Sequence, residues 1–174
     1  MILVLLTALL TLILDAVSKQ LAVRFLEGIT EGVNVIPHVI RFQYIKNPGA
    51  AFGMLSEHRW VFMVLSCVAI VIIGVYVAYS AYIVKKPLPL MERVSLGLLF
   101  GGGIGNMIDR IRLGYVVDFI DFQFVKFYVF NIADAAVCVG CALLILYVLI
   151  NDFFAIRKKK TGNGDEGQTA RGDK

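Results

Sequence analysis

Trp60–Val84 reads WVFMVLSCVAIVIIGVYVAYSAYIV, 25 residues without one Asp, Glu, Lys or Arg. At 1.5 Å rise per residue, a helix of that length exceeds the roughly 30 Å hydrocarbon core of a bilayer. Working outward, three further stretches share its character. Residues 2–23 are mainly apolar but carry Asp15, Ser18, Lys19 and Gln20. Residues 92–110 hold the uncharged run Val94–Ile108 between Glu92-Arg93 and Asp109-Arg110. Residues 132–151 are apolar apart from Asp134 near their start and Asn151 at their end. Composition agrees: 59% of the 174 residues are apolar and 17% charged, against about half and a quarter in a soluble domain. So little charge cannot solvate a soluble surface. It also excludes a disordered chain, a collagenous chain and a basic nucleic-acid-binding domain. The expected fold class is a mainly α membrane protein, with four transmembrane helices and a small extracytoplasmic β-rich connection between helices one and two.

The charges that remain give a direction. The loop Lys85–Arg93 has three basic residues in nine, and the tail from residue 157 has six Lys/Arg against three Asp/Glu. Basic loops stay on the cytoplasmic side, so four spans put both termini inside. Residues 24–59 and 109–131 then lie outside. Within the first of these, Val33–Tyr44 is rich in Val, Ile, Phe and Tyr with Pro37 interrupting, which predicts a short, partly exposed sheet. The N-terminus has an apolar run like that of a signal peptide. It lacks a basic start and a clear small-x-small cleavage site, so it is expected to remain as a span. Residues 1–156 form one membrane domain, and the basic tail 157–174 is expected to be disordered and cytoplasmic.

Ionisable residues inside spans are costly and mark functional sites by default. The predicted topology puts nearly all of them in one layer near the outer interface. Asp15 and Lys19 lie one turn apart on one face of the first span. Asn106, Asp109 and Arg110 close the third, Asn131 and Asp134 open the fourth, and Asp118 lies just before it. Asp15–Lys19 reads as a neutralising pair. Asp109 and Arg110 are adjacent and cannot face each other on a helix, so each caps the helix or pairs elsewhere. Asp118 and Asp134 have no basic residue within a helical turn. Two such carboxylates, brought together in a low dielectric, have their pKa values pushed apart, and that state suits general acid/base activation of water. Asp121, three residues after Asp118, leaves open which of the two faces inward.

Other motifs fail. Gly101-Gly102-Gly103-Ile104-Gly105 lacks the Lys-Ser/Thr of a phosphate loop and reads as a close-packing surface. Cys138-x-x-Cys141 sits in an apolar span without a second pair and reads as core packing. His38 and His58 are isolated, so neither a metal nor another cofactor is expected. No serine-hydrolase pattern is present.

Four patches resemble the lipoprotein signal peptidase (signal peptidase II) family: Asp15-x-x-x-Lys19; Asn47-Pro48-Gly49-Ala50-Ala51-Phe52-Gly53; Gly101 to Arg110 with Val116-Val117-Asp118-Phe119; and Phe130-Asn131-Ile132-Ala133-Asp134. The resemblance implies an intramembrane aspartic endopeptidase of the bacterial cytoplasmic (inner) membrane. Its substrates would be prolipoproteins, cleaved before a cysteine already carrying diacylglyceryl. It implies Asp118 and Asp134 as the catalytic pair, and so prefers Asp118 over Asp121. Asn47, Gly49, Asn106, Arg110 and Asn131 would line the substrate site, and Asp15, Lys19, Asp109 and Ala133 would support it. It also implies membrane lipids as surroundings, a cyclic peptide inhibitor of the globomycin type, no nucleic acid and a monomer. The alternative from another class is a small proton- or ion-coupled transporter subunit, which predicts carboxylates spread through the membrane depth and internal repeats.

Overall fold

The computed structural model describes residues 1–49 and 59–169. Four helices and three strands follow in the order α1 (Ile2–Leu26), β1 (Val33–Ile36), β2 (Ile40–Asn47), α2 (Arg59–Tyr79), α3 (Leu90–Arg112), β3 (Val116–Phe122) and α4 (Ile132–Thr169). A π-helical turn, Ser80–Val84, closes α2, and Lys85 ends it in a left-handed conformation. Of the expected family-like patches, Ala50, Ala51, Phe52 and Gly53 fall outside the described residues.

α1 is patterned inside-out. Its buried positions are Val4, Ala8, Thr11, Asp15, Lys19, Ala22 and Leu26, spaced by three and four residues. That is one helical stripe, but of small and polar side chains. Leu5, Leu6, Leu9, Leu10, Ile13 and Leu14 all point outward and are at least half exposed. Such a surface suits lipid, where large apolar groups face out and small residues let helices approach.

Three described helical stretches are long and apolar enough to cross a membrane: Ile2–Leu26, Met63–Val84 and Ile132–Phe154. The expected third span over 92–110 is a helix, Leu90–Arg112, but it is not among them. Glu92, Arg93, Asp109, Arg110 and Arg112 sit at its ends, and its middle is rich in glycine. α3 instead packs against α1, α4 and α2. A Cβ on Gly101 would lie 2.7 Å from the Ala8 carbonyl oxygen, and one on Gly102 would lie 2.6 Å from that of Ala133. The glycine run is therefore the close-packing surface its composition predicts.

One expectation about α4 needs correction. Cys138 and Cys141 are exposed, not packed in a core. The inner face of α4 is taken by Ala133, Ala136 and Gly140, at spacings of three and four, which turns both thiols outward. The helix runs on to Thr169. A helix already nucleated in an apolar run adds residues without repeating the nucleation cost.

The sheet is antiparallel in the order β1-β2-β3. β1 and β2 lie in the stretch expected to form a short sheet and pair as a hairpin, turning at Pro37–Val39 with His38 at φ 62°. β3 is the difference from expectation: the connection after α3 is a strand paired along β2, with Ile45 opposite Asp118 and Arg41 opposite Asp121. Val117 and Phe119 pack with Ala22 and Leu26 of α1 and bring the sheet onto the end of that helix.

Candidate active site

Buried Asp15, Lys19, Asn106, Asp118 and Asn131 form one network at the sheet end of the helices, and Lys19 is its base. Its ammonium lies 2.8 Å from Asp15 Oδ2 and 3.0 Å from Asp109 Oδ2, and it donates to Asn106 Oδ1 at 3.0 Å. An ammonium has three donors, and all three are used. The second oxygen of Asp15 accepts the backbone N–H of Ala133 at 2.9 Å, tying α1 to the first turn of α4. Asp109 Oδ2 also accepts the N–H of Val117 in β3 at 3.2 Å. The expected i,i+4 pair thus exists, and it also fixes α3, β3 and α4. Asp109 and Arg110 diverge as their adjacency requires. Arg110 donates to the carbonyls of Asn106 and Gly49.

Asn106 relays this arrangement to Asp134. Its Oδ1 accepts from Lys19 and, at 3.1 Å, from the side-chain amide of Asn131. Its own amide therefore points at Asp134 Oδ1, 2.7 Å away. Asn131 precedes α4 and caps it: Oδ1 accepts the N–H of Asp134 at 2.9 Å, and an Asp134 oxygen accepts the N–H of Asn131 at 3.3 Å. This reciprocal exchange is a capping box built from Asn and Asp. It fixes both side chains at the helix start.

Asp118 completes the group from the strand side. Its two oxygens accept from Asn131 Nδ2 at 2.6 Å and from Asn47 Nδ2 at 2.8 Å. Asn47 opposes Val116 across the sheet, so Asp118 is its diagonal neighbour on the same face. Asn47 also accepts the N–H of Gly49 at 3.0 Å, shaping the turn that leads away from β2. Asp118 is 1% exposed. Burial pushes its carboxyl up to about 7, and the nearby Asp134 charge adds to the rise against the lowering by Asn47 and Asn131.

Asp121 lies elsewhere. Alternate residues of a strand point to opposite faces, so positions three apart diverge. Its Oδ2 accepts from Arg41 Nη2 at 2.7 Å, from Gln43 at 3.0 Å and from Gln123 at 2.5 Å. It serves the sheet, while Asp118 joins Asn131 and, through it, Asn106. A helical reading of residues 118–121 would have put both on one face, whereas the strand separates them.

Every site residue named from the sequence therefore falls in one connected group: Asp118 and Asp134 through Asn131 and Asn106, and these through Lys19 to Asp15 and Asp109. Two residues were missed. Gly105 leaves room for Asp15, since a Cβ there would lie 2.6 Å from Asp15 Oδ2. Tyr128, in the connection before α4, has its hydroxyl held above the usual range by burial first and then by nearby charges that include Asp134 and Asp118. The glycine run contained the first signal, while nothing in the sequence marked the second. The group lies at one end of the bundle.

Comparison with known proteins supports a membrane protease and gives no support to the transporter alternative. The profile of the family described as signal peptidase (SPase) II matches residues 7–150. A lipoprotein signal peptidase of Caldanaerobacter subterraneus subsp. tengcongensis is 42% identical over 137 residues, covering 79% of this chain and 88% of the relative. One from Clostridioides difficile is 38% identical over 136 residues, covering 78% and 87%. Among solved structures, a bacterial membrane enzyme determined in meso at 2.3 Å resolution superposes with a TM-score of 0.75 at 32% identity, covering 86% of this chain and 88% of that one.

Proposed function

Because the chain belongs to the signal peptidase II family, the membrane proteases that remove signal peptides from prolipoproteins, we propose that it does so as an aspartic endopeptidase with Asp118 and Asp134 as its pair. The observation that carries this reading is the Asn131 side chain. Its amide donates to the Asp118 carboxyl and its carbonyl accepts the backbone N–H of Asp134, whose carboxyl in turn accepts the Asn131 N–H, so one residue holds both aspartates.

The chemistry follows from the residue types. Water is a poor nucleophile and a peptide carbonyl a poor electrophile. Asp134, ionised, takes a proton from the attacking water. Asp118, whose burial holds a proton to near neutral pH, donates to the carbonyl oxygen. The roles then reverse to protonate the leaving amine. Proton handling of this kind contributes about 10²–10⁴-fold, and orientation contributes much of the rest. Asn47, Asn106 and Asn131 hold the pair. Arg110, braced on the Gly49 carbonyl, and Gly49 itself border the approach. A helical substrate hides its scissile bond in its own hydrogen bonds, so it unwinds locally.

In this reading α3 is a fourth span, shielded from lipid by its neighbours, and both termini are cytoplasmic. The pair lies near the outer face of the cytoplasmic membrane, where water has access and the substrate's diacylglyceryl chains stay in the bilayer. The enzyme acts as a monomer, with residues 1–156 as the peptidase unit, and a globomycin-type cyclic peptide competes at the Asn47–Arg110 side. The test is purified protein with a diacylglyceryl-modified prolipoprotein and its unmodified form. Mass spectrometry should find a product beginning at the modified cysteine, and no product from the unmodified chain. Equal cleavage of both would remove the lipid requirement from the proposal.

A further inference from the structure

A groove of about 510 Å³ runs between α1 and α3 on the other side of the Lys19 network from Asn106. Leu12, Ile13, Ala16 and Ile108 line its walls, and Asp15, Lys19 and Asp109 lie at its floor. At the end next to the sheet it opens between Arg24 and Arg112, both exposed. Among the described residues neither arginine has a carboxylate partner; Arg24 lies only over the ring of Phe25, 5.5 Å from its centroid. We propose that this groove binds one anionic phospholipid, with its phosphate between Arg24 and Arg112 and one acyl chain lying along the α1–α3 seam.

Three observations support that occupant. The walls are continuous with the outward apolar surface of α1, where Leu9, Leu10, Ile13 and Val17 are at least half exposed, so lipid tails already border the groove. From Leu12 to Arg24 the seam runs about 18 Å at 1.5 Å per residue, close to the roughly 15 Å hydrocarbon depth of one leaflet. Two unneutralised guanidinium groups at the polar end match phosphate oxygens in geometry and charge, and their double charge favours a headgroup that is anionic overall. The chain would also cover the ion pairs of Lys19 with Asp15 and Asp109. Excluding water there strengthens them, and through Asn106 they hold Asp134. The proposal rests on the reading that this end of the bundle meets a membrane interface.

Native mass spectrometry of the delipidated, detergent-solubilised protein tests it, with phosphatidylglycerol, phosphatidylcholine of the same acyl chains, and inorganic phosphate as probes. One phosphatidylglycerol should bind at least tenfold more tightly than phosphatidylcholine, and phosphate should not displace it. Arg24→Gln with Arg112→Gln should weaken phosphatidylglycerol at least tenfold, and Ala16→Trp, which fills the groove, should weaken both lipids. Equal binding of the two lipids, unchanged binding to the double arginine variant, displacement by phosphate, or full binding to a folded Ala16→Trp protein would each overturn the proposal. Should Ala16→Trp fail to fold, the arginine pair, being exposed, still decides. The readout needs no turnover. A protein that binds the lipid but is unaffected by loss of Asp118 or Asp134 would fault the catalytic pair and leave the groove standing.

Discussion

Asn131 donates its side-chain amide to Asp118 at 2.6 Å and accepts the backbone N–H of Asp134 at 2.9 Å. The residue that starts α4 thus also joins a strand carboxyl to a helix carboxyl. An alanine there removes an N-cap, about 1 kcal/mol, and releases both aspartates. We expect Asn131→Ala to lower kcat at least tenfold with a smaller change in KM. Asn131→Asp, which keeps the cap but places a third carboxyl against the pair, should be as inactive while melting higher than the alanine variant.

Activity should fall as pH rises through about 7. Asp118 has its carboxyl raised to about 7 by burial, so below that pH it holds the proton that the reaction donates, and above it the proton is lost. The two carboxyls titrate as a pair, so the profile of kcat/KM reports the pair. An alkaline limb near 7 is expected; a flat profile to pH 9 would remove Asp118 from the donor role.

Asp121→Asn should leave cleavage within a few-fold of normal. Its partners are Arg41, Gln43 and Gln123 on the sheet. The cost should appear in stability: a double-mutant cycle with Arg41→Gln should give a coupling of about 1 kcal/mol, in line with a partly exposed pair.

Lys19→Met leaves Asp15 and Asp109 facing each other in a buried site. Breaking one side of a buried ion pair costs about 3–5 kcal/mol, so the variant should melt well below the parent. Adding Asp15→Asn should restore part of the loss, since one of the two stranded charges is gone. An unchanged melting temperature for Lys19→Met would mean that the Lys19 contacts contribute little, and non-recovery on adding Asp15→Asn would mean that the stranded charge is not the cause of the loss.

The glycines of α3 should differ sharply. A Cβ on Gly105 meets Asp15 Oδ2 at 2.6 Å, whereas one on Gly103 meets only the flexible Ile70 side chain, at 3.4 Å. Gly105→Ala should cost about 1–3 kcal/mol through overpacking and reduce cleavage; Gly103→Ala should do neither. Melting temperature and initial rate check both.

Much of this was legible in the sequence because membrane patterning is coarse. The run Trp60–Val84 needs no tertiary information to be read as a span, and the polar residues stand out against it. The Asn131-x-x-Asp134 spacing before an apolar run is a helix-start signature that could have been read more fully. What stayed hidden was non-local. β3 is nearly all buried, so Val116–Phe122 shows no clean alternation, and its pairing depends on β2, some 70 residues earlier. The choice between Asp118 and Asp121 turns on that strand. α3 was legible as a helix from its uncharged run Val94–Ile108, although its charges and glycines keep its hydropathy below that of the other three. The outward cysteines of α4 followed from which face the small residues occupy, a relation that the Cys-x-x-Cys spacing alone does not carry.

The central claim is that Asp118 and Asp134 together perform the hydrolysis. Its most direct test is the initial rate of cleavage of a diacylglyceryl-modified prolipoprotein by purified Asp118→Asn and Asp134→Asn proteins, each first checked for normal membrane insertion and melting. The account predicts that each loses at least about 10³-fold in kcat. Either variant cleaving within tenfold of the parent, while folded and inserted, would contradict it.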